Sequence, residues 1–407
     1  MNMDEASKKE LIESFLTRGV ENIIPSRDEL EKLLYSGKKL NVYLGIDPTA
    51  TRIHLGHAFP LRKLQILADL GHNVTFLIGD FTAKVGDTSD KETERPILTD
   101  EQIEENFQTY KKQAAKLLDF TKVQVHHNSE WLSKLNFGDV LKLTRQFSLN
   151  DFISRELIKI RLSEGKPVSL PEVLYPIMQG YDSYFMDTDI QLGGTDQTFN
   201  MQAGRTLQKN LRGKESFVLA NGFLPGTDGR KMSKSWGNAI WIEDSPEEIY
   251  GKIMSIADDV LLAYYLMGTN ASQQVIDEAK ARLETGENPM NLKKELAKII
   301  VQELHGVDSV AMAEEHFRKT VVEKVAGEDT PVIKVDFAVP VLGSEASLAA
   351  YALSNGLVSS NTEFKTLLKE GAIYLNEKRV NGEAELALDQ GENVVRIGKR
   401  KYLKLVK

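Results

Sequence analysis

The chain has 407 residues, of which 41% are hydrophobic and 27% charged, and its net charge is −8 at pH 7. This composition is typical of a globular protein with two or three domains, and the negative charge excludes general nucleic-acid affinity, so we expect any such contact to be a local basic patch. The absence of cysteine excludes disulfides and thiolate metal sites and favours a cytoplasmic protein. No apolar run approaches the roughly 20 residues of a membrane-spanning helix, so we expect no membrane span.

Strands and helices alternate in the first part of the sequence. Residues 4–35 predict amphipathic helix, broken at Pro25. Helices are also expected after His57 and over 99–118, where Thr99 and Gln102 form a capping box. The predicted strands between them are 40–46, 74–78 and 123–125. Such alternation indicates an α/β fold with a Rossmann-like parallel sheet.

The middle of the sequence interrupts this alternation. Residues 129–165 are predicted to be helical, and an insertion of this kind supplies either a partner surface or plain core. Ser169 and Glu172 predict a second capping box at the start of a helix. Strands follow at 188–192 and 217–220, and each ends in a loop. The carboxyl ends of the strands in such a sheet are where ligands bind.

The last part of the sequence predicts further domains. A helical domain is expected over 244–328, a linker over 329–344 and a small α+β domain over 345–407, which leaves 1–243 as the first domain. The last twelve residues contain six cations and no acid. This tail is either a local RNA contact or a solvated strand end.

A pair of histidines follows the first predicted strand of the sheet, in the sequence His54-Leu55-Gly56-His57. The start of a helix offers unpaired N–H groups and a positive dipole end, which suit a phosphate group. Gly56 would let a flat base stack on the backbone. The alternatives are a metal site, for which no third ligand is evident nearby, and ordinary surface.

Three polar side chains share one face of the helix that begins near Ser169. Tyr175, Gln179 and Asp182 are four and three residues apart. A phenol, an amide and a carboxylate together suit a small ligand with an ammonium group and a hydroxyl. The alternative is a polar face turned to solvent.

Two glycine-containing loops follow later strands. Gly193-Gly194-Thr195-Asp196-Gln197 permits close backbone approach, and a carboxylate at this edge of a sheet can accept from a ribose hydroxyl. Lys231-Met232-Ser233-Lys234-Ser235 follows the loop 225–230 and could close positive charge over a polyanion. The alternatives are a β-turn for the first loop and a solvated basic turn for the second.

Together these motifs resemble a known family. His54-Leu55-Gly56-His57 resembles the HIGH signature of class I aminoacyl-tRNA synthetases, with Leu for Ile, and 231–235 matches their KMSKS signature throughout. The finer pattern resembles the tyrosyl-tRNA synthetases over nearly the whole chain. Further resemblance lies at Tyr43–Thr49, Val85–Asp87, Glu94–Arg95, Tyr175–Gln179, Asp182 and Gly193–Gln197. Residues 345–407 resemble an S-four-like RNA-binding domain, and 244–328 would be the anticodon-recognition domain.

The resemblance implies a tyrosine–tRNA ligase, with ATP as a substrate carrying Mg²⁺ and with no metal site of the protein's own. Implied partners are the tRNA for tyrosine, L-tyrosine, and a second copy of the chain in a homodimer through 129–165. The implied tyrosine-binding residues are Tyr43, Asp87, Tyr175, Gln179, Asp182 and Gln197. The implied ATP-binding residues are Thr49, Gly56, Asp196, Lys231 and Lys234. Charge on the departing pyrophosphate would be stabilised by catalytic residues His54, His57, Lys231 and Lys234, with Lys91 and Arg95 adding charge nearby.

Two departures from the family pattern concern the shape of the pocket. Leu44 stands where a smaller residue is frequent, and Thr198-Phe199 replaces Trp-Gly. The alternatives are a tryptophanyl enzyme, a small-molecule nucleotidyltransferase and a non-catalytic RNA-binding protein with a synthetase fold. Asp182 and the RNA-binding domain favour tyrosine over tryptophan.

Overall fold

The structure of the chain is a computed structural model. It describes residues 4–87, 98–233, 236–322, 330–335, 339–344, 346–380, 385–386, 388–398 and 401–406. The chain divides into two compact units, the first made of Met1–Ser245 and Lys252–Leu304, the second of Pro246–Gly251 and His305–Lys407. No helix within the described ranges is long and apolar enough to cross a membrane.

A six-stranded sheet forms the centre of the first unit. Its strands are β1 (Val20–Ile24), β2 (Asn41–Ile46), β3 (Asn73–Ile78), β4 (Val123–His127), β5 (Ile190–Gly194) and β6 (Phe217–Asn221). Their order is β1-β6-β5-β2-β3-β4, and all neighbours are parallel except the edge pair β1 and β6. The predicted α/β class with a parallel sheet is confirmed. Because β2 has β3 on one side and β5 on the other, the chain changes direction across the sheet here, which opens a cleft at the carboxyl ends of the strands.

Helices precede, connect and follow these strands. They are α1 (Glu5–Thr17), α2 (Arg27–Tyr35), α3 (Leu55–Asp69), α4 (Asp100–Ala114), α5 (Ser129–Leu132), α6 (Phe137–Thr144), α7 (Leu149–Ile153), α8 (Glu156–Ser163), α9 (Leu170–Phe185), α10 (Thr198–Arg212), α11 (Pro246–Met254), α12 (Leu261–Gly268), α13 (Gln273–Glu284) and α14 (Pro289–His305). The insertion at 129–165 is helical, as predicted. Helices α12 and α13, and α14 except for its last residue His305, fall within the first compact unit. The predicted domain boundaries place these helices in a domain of their own, and those boundaries stay a prediction.

Two local predictions were wrong. Residues 4–35 were predicted to be helical with one break, but Val20–Ile24 within them forms the edge strand β1. In this strand Ile23 pairs with Leu219 of β6. Pairing with a distant strand overrides the local helical pattern there. The capping box predicted at Ser169 is also absent, because the buried Glu172 carboxylate instead accepts from Arg161 at 2.5 Å. The box at Thr99 and Gln102 is present.

Helix α3 is held firmly behind the cleft. Leu55, Leu64 and Leu67 on this helix are fully buried. Lys63 is also buried, and its Nζ donates to the carbonyl oxygens of Ser14 at 2.8 Å and Phe15 at 2.7 Å, near the end of α1. The Ser14 carbonyl also accepts from the backbone N–H of Arg18 at 3.1 Å, and the ammonium lies at the carboxyl end of α1, where the helix dipole favours a positive charge. Burial lowers the pKa of Lys63 well below its usual value.

The second unit contains a small α+β domain. The remaining elements of this unit are α15 (Asp308–Phe317), β7 (Val332–Lys334), β8 (Val339–Pro340), α16 (Leu348–Ser354), α17 (Asn361–Lys369), β9 (Ile373–Leu375), β10 (Lys378–Arg379), β11 (Glu385–Leu386), β12 (Glu392–Ile397) and β13 (Lys401–Val406). One sheet has the order β10-β9-β12-β13-β7, and β8 pairs with β11. Phe364, Ile373, Val395 and Leu403 are fully buried in its core. Part of the basic tail, at Lys399, Arg400 and Lys407, lies outside the described residues.

Candidate active site

A cavity of about 600 Å³ lies at the carboxyl ends of β2, β3 and β5. It brings together every predicted site residue that the structure describes. These residues are Tyr43, Thr49, His54, Gly56, His57, Asp87, Tyr175, Gln179, Asp182, Asp196, Gln197 and Lys231. Lys234, Lys91 and Arg95 lie outside the described residues. Motifs far apart in the sequence therefore form one site.

The two histidines stack at the start of α3. His54 is the N-cap residue, and its Nδ1 accepts from the backbone N–H of His57 at 3.3 Å. Their rings lie 3.7 Å apart with an angle of 18° between the planes. A Cβ on Gly56 would come within 3.1 Å of the His54 ring, so glycine at this position lets the ring fold over the helix start.

The protonation state of the His54 ring follows from its surroundings. Burial, followed by the neighbouring His57, lowers the pKa of His54 to about 2. The ring is therefore neutral at physiological pH. Because its Nδ1 accepts a hydrogen bond, its Nε2 carries the proton and can donate to a phosphate oxygen.

The segment after the basic loop is tied to the segment before α3. Leu55 N–H donates to the Ile240 carbonyl at 2.9 Å, and Ile242 N–H donates to the carbonyl of Ile53 at 3.0 Å. The Arg52 guanidinium lies 4.7 Å from the centre of the Trp241 ring. These contacts link the basic loop to the histidine motif through both backbone and side chain, a link that local sequence patterns do not reveal.

A buried carboxylate closes the inner end of the cavity. Asp182 is 3% exposed, and its oxygens accept from Trp131 Nε1 at 2.7 Å and from Asn128 Nδ2 at 3.2 Å. Burial raises the pKa of Asp182 to about 8. Tyr43 lines the same cavity, and its hydroxyl donates to Gln191 Oε1 at 3.1 Å. The sequence interpretation missed Asn128, Trp131 and Gln191, although Asn128 directly follows strand β4 and could have been found by that position.

Asp47 organises the wall next to this carboxylate. Its two oxygens accept from Thr82 Oγ1 at 2.7 Å and from the Tyr175 hydroxyl at 2.9 Å. A Cβ on Gly79 would lie only 2.0 Å from Asp47 Oδ1, so a side chain there would displace the carboxylate. Burial, with the charges of Asp47 and Asp87 adding to it, raises the pKa of Tyr175. Since Tyr175 donates its proton to Asp47, its oxygen keeps lone pairs for an ammonium group.

Asp87 and Gln197 meet across the cavity. Gln197 Nε2 donates to Asp87 Oδ2 at 2.7 Å, and Gln197 Oε1 accepts from Asn200 Nδ2 at 3.0 Å. The two predicted tyrosine-binding residues therefore orient each other. Nearby, a Cβ on Gly194 would come within 2.6 Å of Asp196 Oδ1, so glycine leaves room for this carboxylate at the end of β5.

The basic loop borders the outer end of the cavity. Lys231 is exposed, and its Nζ lies 4.8 Å from the centre of the Phe223 ring. Its charge is close enough to contribute to the low pKa of His54, after burial and His57. Lys231 therefore faces the histidine end of the cavity.

A metal site has no support from side chains in the described ranges. No group of three or more histidine, cysteine, aspartate or glutamate residues there could hold a metal ion. The alternative interpretation of His54 and His57 as metal ligands therefore lacks a third ligand in that part of the chain. What the cavity presents is a buried polar end and a cationic outer end.

The sequence and the fold of this chain are similar to those of known proteins. Residues 35–322 match the family described as tRNA synthetases class I (W and Y). A tyrosine–tRNA ligase of Carboxydothermus hydrogenoformans is 41% identical over 100% of this chain and 99% of its own length, and one of Thermotoga maritima is 37% identical over 96% of each. Among solved structures, a tyrosyl-tRNA synthetase complexed with L-tyrosine from Archaeoglobus fulgidus aligns with a TM-score of 0.61 and 25% identity, covering 76% of this chain and 99% of that one.

Proposed function

This chain belongs to the class I tyrosyl-tRNA synthetases, and we propose that the cavity at the carboxyl ends of β2, β3 and β5 is where it joins tyrosine to ATP. The chain is an aminoacyl-tRNA ligase that activates L-tyrosine with ATP and then transfers it to the 3′ end of its tRNA. The observation that supports this location is the convergence of the described predicted site residues on one cavity.

Tyrosine occupies the buried end in this proposal. Its phenol lies between Tyr43 and Asp182, and its ammonium group lies near Asp87, Tyr175 and Gln179. The support for this orientation is the distribution of polar atoms, because the buried carboxylate of Asp182 and the oxygen of Tyr175 face the same cavity. A ligand that offers hydrogen-bonding groups to these buried polar atoms is favoured over one that leaves them imperfectly paired.

ATP occupies the outer end. The ribose lies near Asp196, and the phosphates lie near Thr49, the start of α3 and Lys231. Unpaired N–H groups and the positive end of the helix dipole favour phosphate at this position. Mg²⁺ arrives with ATP as part of the substrate.

The reaction needs no nucleophile from the protein. A carboxylate oxygen of tyrosine attacks the α-phosphorus of ATP, forming a new O–P bond while the bond to pyrophosphate breaks and its electrons leave with pyrophosphate. Catalysis comes from alignment of the reactants and from charges that stabilise the leaving group. In our proposal Lys231 and Lys234 supply charge, and the neutral ring of His54 supplies a hydrogen bond.

Tyrosine-dependent exchange between ATP and pyrophosphate tests this proposal. The family described as class I (W and Y) includes both tyrosine and tryptophan enzymes, whereas the full-length relatives named above are tyrosine–tRNA ligases. We expect exchange with tyrosine and background rates with tryptophan and phenylalanine. Exchange that favours tryptophan, or none with any amino acid while the protein binds RNA, would contradict it.

We further propose that the chain forms a homodimer through the insertion 129–165. Phe137 is 78% exposed and Leu149 is 64% exposed, and Leu141, Ile160 and Leu162 in the same insertion are exposed as well. Apolar side chains concentrated in one exposed segment mark a contact surface. Sedimentation of the wild-type chain should give a dimer, and Phe137→Glu with Leu149→Glu should give a monomer, with Val275→Glu at another exposed apolar position as the control.

The domain at 345–407 is proposed to bind tRNA in the cytoplasm. Lys365 and Lys369 are exposed on α17, one helical turn apart. Changing both to alanine should weaken tRNA binding and reduce the slope of log affinity against log salt by up to about 2, because each contact to a phosphate releases about one counterion. Exchange without tRNA should be unaffected. An unchanged slope would place the RNA contact elsewhere.

A further inference from the structure

One buried amide holds three parts of the basic loop. Asn238 is 3% exposed. Its Nδ2 donates to Asp228 Oδ1 at 2.8 Å and to the backbone carbonyl of Lys231 at 3.1 Å. Its Oδ1 accepts from the backbone N–H of Ser233 at 2.8 Å. Both ends of the amide are therefore engaged with the loop that carries the lysines.

The backbone of the same residue adds a fourth connection. The carbonyl of Asn238 accepts from Thr227 N–H at 3.0 Å. Asp228, which receives the amide of Asn238, also accepts from the guanidinium Nε of Arg230 at 2.8 Å. Hydrogen bonds from Asn238 and then Arg230 lower the pKa of Asp228 to about 2, so this carboxylate is ionised at physiological pH.

Gly226 leaves the space that this amide occupies. A Cβ at position 226 would lie 2.3 Å from Asn238 Nδ2 and 2.4 Å from its Cγ. The backbone of Gly226 is not left-handed, so its conformation alone does not require glycine. Close approach of the Asn238 side chain is the reason for glycine here.

We propose that Asn238 is a positioning residue for Lys231, because its amide fixes the Lys231–Ser233 backbone at the mouth of the cavity before ATP binds. This inference rests on the proposed function, since Lys231 must act on the phosphates of ATP. A charge held in place beforehand stabilises the leaving group without the cost of ordering the loop during the reaction. Asn238 itself contacts the loop and is absent from the cavity lining.

Truncation of the side chain is the first test. Asn238→Ala should lower kcat for tyrosine-dependent pyrophosphate exchange by about 10- to 100-fold, the range for a catalytic group misplaced by about 1 Å. KM for ATP should rise, and the dissociation constant for tyrosine should stay within about twofold. The matched control is Asn393→Ala, because Asn393 is fully buried in the second unit and its amide also makes several hydrogen bonds, for example to Asp389. This control should lose stability and keep the KM for ATP.

Replacing the amide nitrogen with an oxygen gives a sharper readout. Asn238→Asp places a second carboxylate beside Asp228 and opposite the Lys231 carbonyl. Two adjacent carboxylates cannot both ionise readily, so one of them gains a raised pKa. When protonated, the new carboxyl group can again donate to Asp228 while accepting from Ser233 N–H. The exchange rate of this variant relative to wild type should therefore recover as the pH is lowered, which a purely structural role does not predict.

Gly226→Ala is an independent way to displace the amide. It should reproduce the kinetic effect of Asn238→Ala, and the double variant should be no slower than Asn238→Ala alone, because both changes remove the same contacts.

Three results would each overturn the inference. The first is an unchanged exchange rate in Asn238→Ala, and the second is an equal loss of tyrosine affinity and of rate in that variant. The third is a pH profile of Asn238→Asp that is parallel to that of the wild-type enzyme. Failure of wild-type exchange with tyrosine would instead contradict the proposed function, so the two failures are distinguishable.

Discussion

The two ends of the cavity are built in opposite ways. At the inner end, Asp182 is 3% exposed and held by hydrogen bonds from Trp131 and Asn128. At the outer end, Lys231 is exposed on a loop. The inner end places polar groups where water cannot replace a missing partner, so it can discriminate between substrates. The outer end presents positive charge at the mouth of the cavity, so it can change the rate but does not distinguish one amino acid from another.

The largest expected effect is at the outer end. Lys231→Ala should lower the rate of adenylate formation by about 10²- to 10³-fold, since removing one donor that stabilises developing charge typically costs about 3 kcal/mol in the transition state. Tyrosine affinity, measured by equilibrium dialysis, should stay unchanged. We predict the same result for Lys234→Ala on the basis of the sequence motif.

Lys209→Ala is the control for this prediction, because Lys209 is exposed on α10 and is absent from the cavity lining. A normal single-turnover rate in Lys231→Ala would contradict the proposal that the outer end sets the rate while the inner end selects the amino acid.

The two ends of the cavity differ in how much of them a local sequence pattern can reveal. The histidine and lysine motifs are contiguous, so their chemistry is visible in a few adjacent letters. The inner end depends on Asn128, Trp131 and Gln191, which come from different elements and act through tertiary hydrogen bonds. Tyr175, Gln179 and Asp182 could be found because helical spacing places them on one face, but their partners could not.

The same reasoning explains what was missed in the fold. The parallel strands were predictable because each buried strand is a short apolar run followed by a turn. Strand β1 was not, because its place at the sheet edge depends on pairing with β6, about 200 residues later in the chain. The low pKa of His54 also follows from burial by distant residues, which no local pattern shows.

The next prediction concerns selectivity at the inner end. Asp182→Asn keeps the size of the side chain and replaces one of its two carboxyl oxygens, which accept from Trp131 and Asn128, with an NH2 group that cannot accept a hydrogen bond. The preference for tyrosine over phenylalanine in pyrophosphate exchange should fall by about 10-fold or more, because an imperfectly paired buried polar group costs about 1–3 kcal/mol. Tyrosyl-tRNA synthetases are themselves the standard example of this form of selection. Asp69→Asn is the control, because that carboxylate is only partly buried and does not line the cavity.

If Asp182→Asn leaves the ratio of kcat/KM values unchanged, the phenol is recognised elsewhere, with Tyr43 as the next residue to test.

A pH dependence of stability follows from the same carboxylate. Burial raises the pKa of Asp182 to about 8, above the value of about 3.9 in an unfolded chain. Between about pH 4 and pH 8, the Asp182 carboxyl group is therefore protonated in the folded chain and ionised in the unfolded chain. The resulting contribution to stability is complete below about pH 4 and is lost as the pH rises through about 8. Asp182→Asn removes it, so the Tm of the variant should fall less than that of wild type between about pH 5 and pH 9. Parallel curves of Tm against pH would contradict the raised pKa.

The smallest expected effect separates two roles of His54 at the outer end. His54→Asn keeps a short polar cap for α3 and removes the ring, so we expect adenylate formation to slow by about 10-fold with little change in Tm. His54→Ala should add a loss of about 1 kcal/mol in the free energy of unfolding, because the N–H of His57 then lacks its acceptor. The ring is neutral because its pKa is about 2. The pH dependence of the rate between about pH 6 and pH 8 should therefore be the same in the wild-type enzyme and in His54→Asn. A kinetic pKa near 6.5 that disappears in His54→Asn would mean that the ring becomes charged during catalysis, and the outer end would then stabilise pyrophosphate with a histidine charge as well as with its lysines.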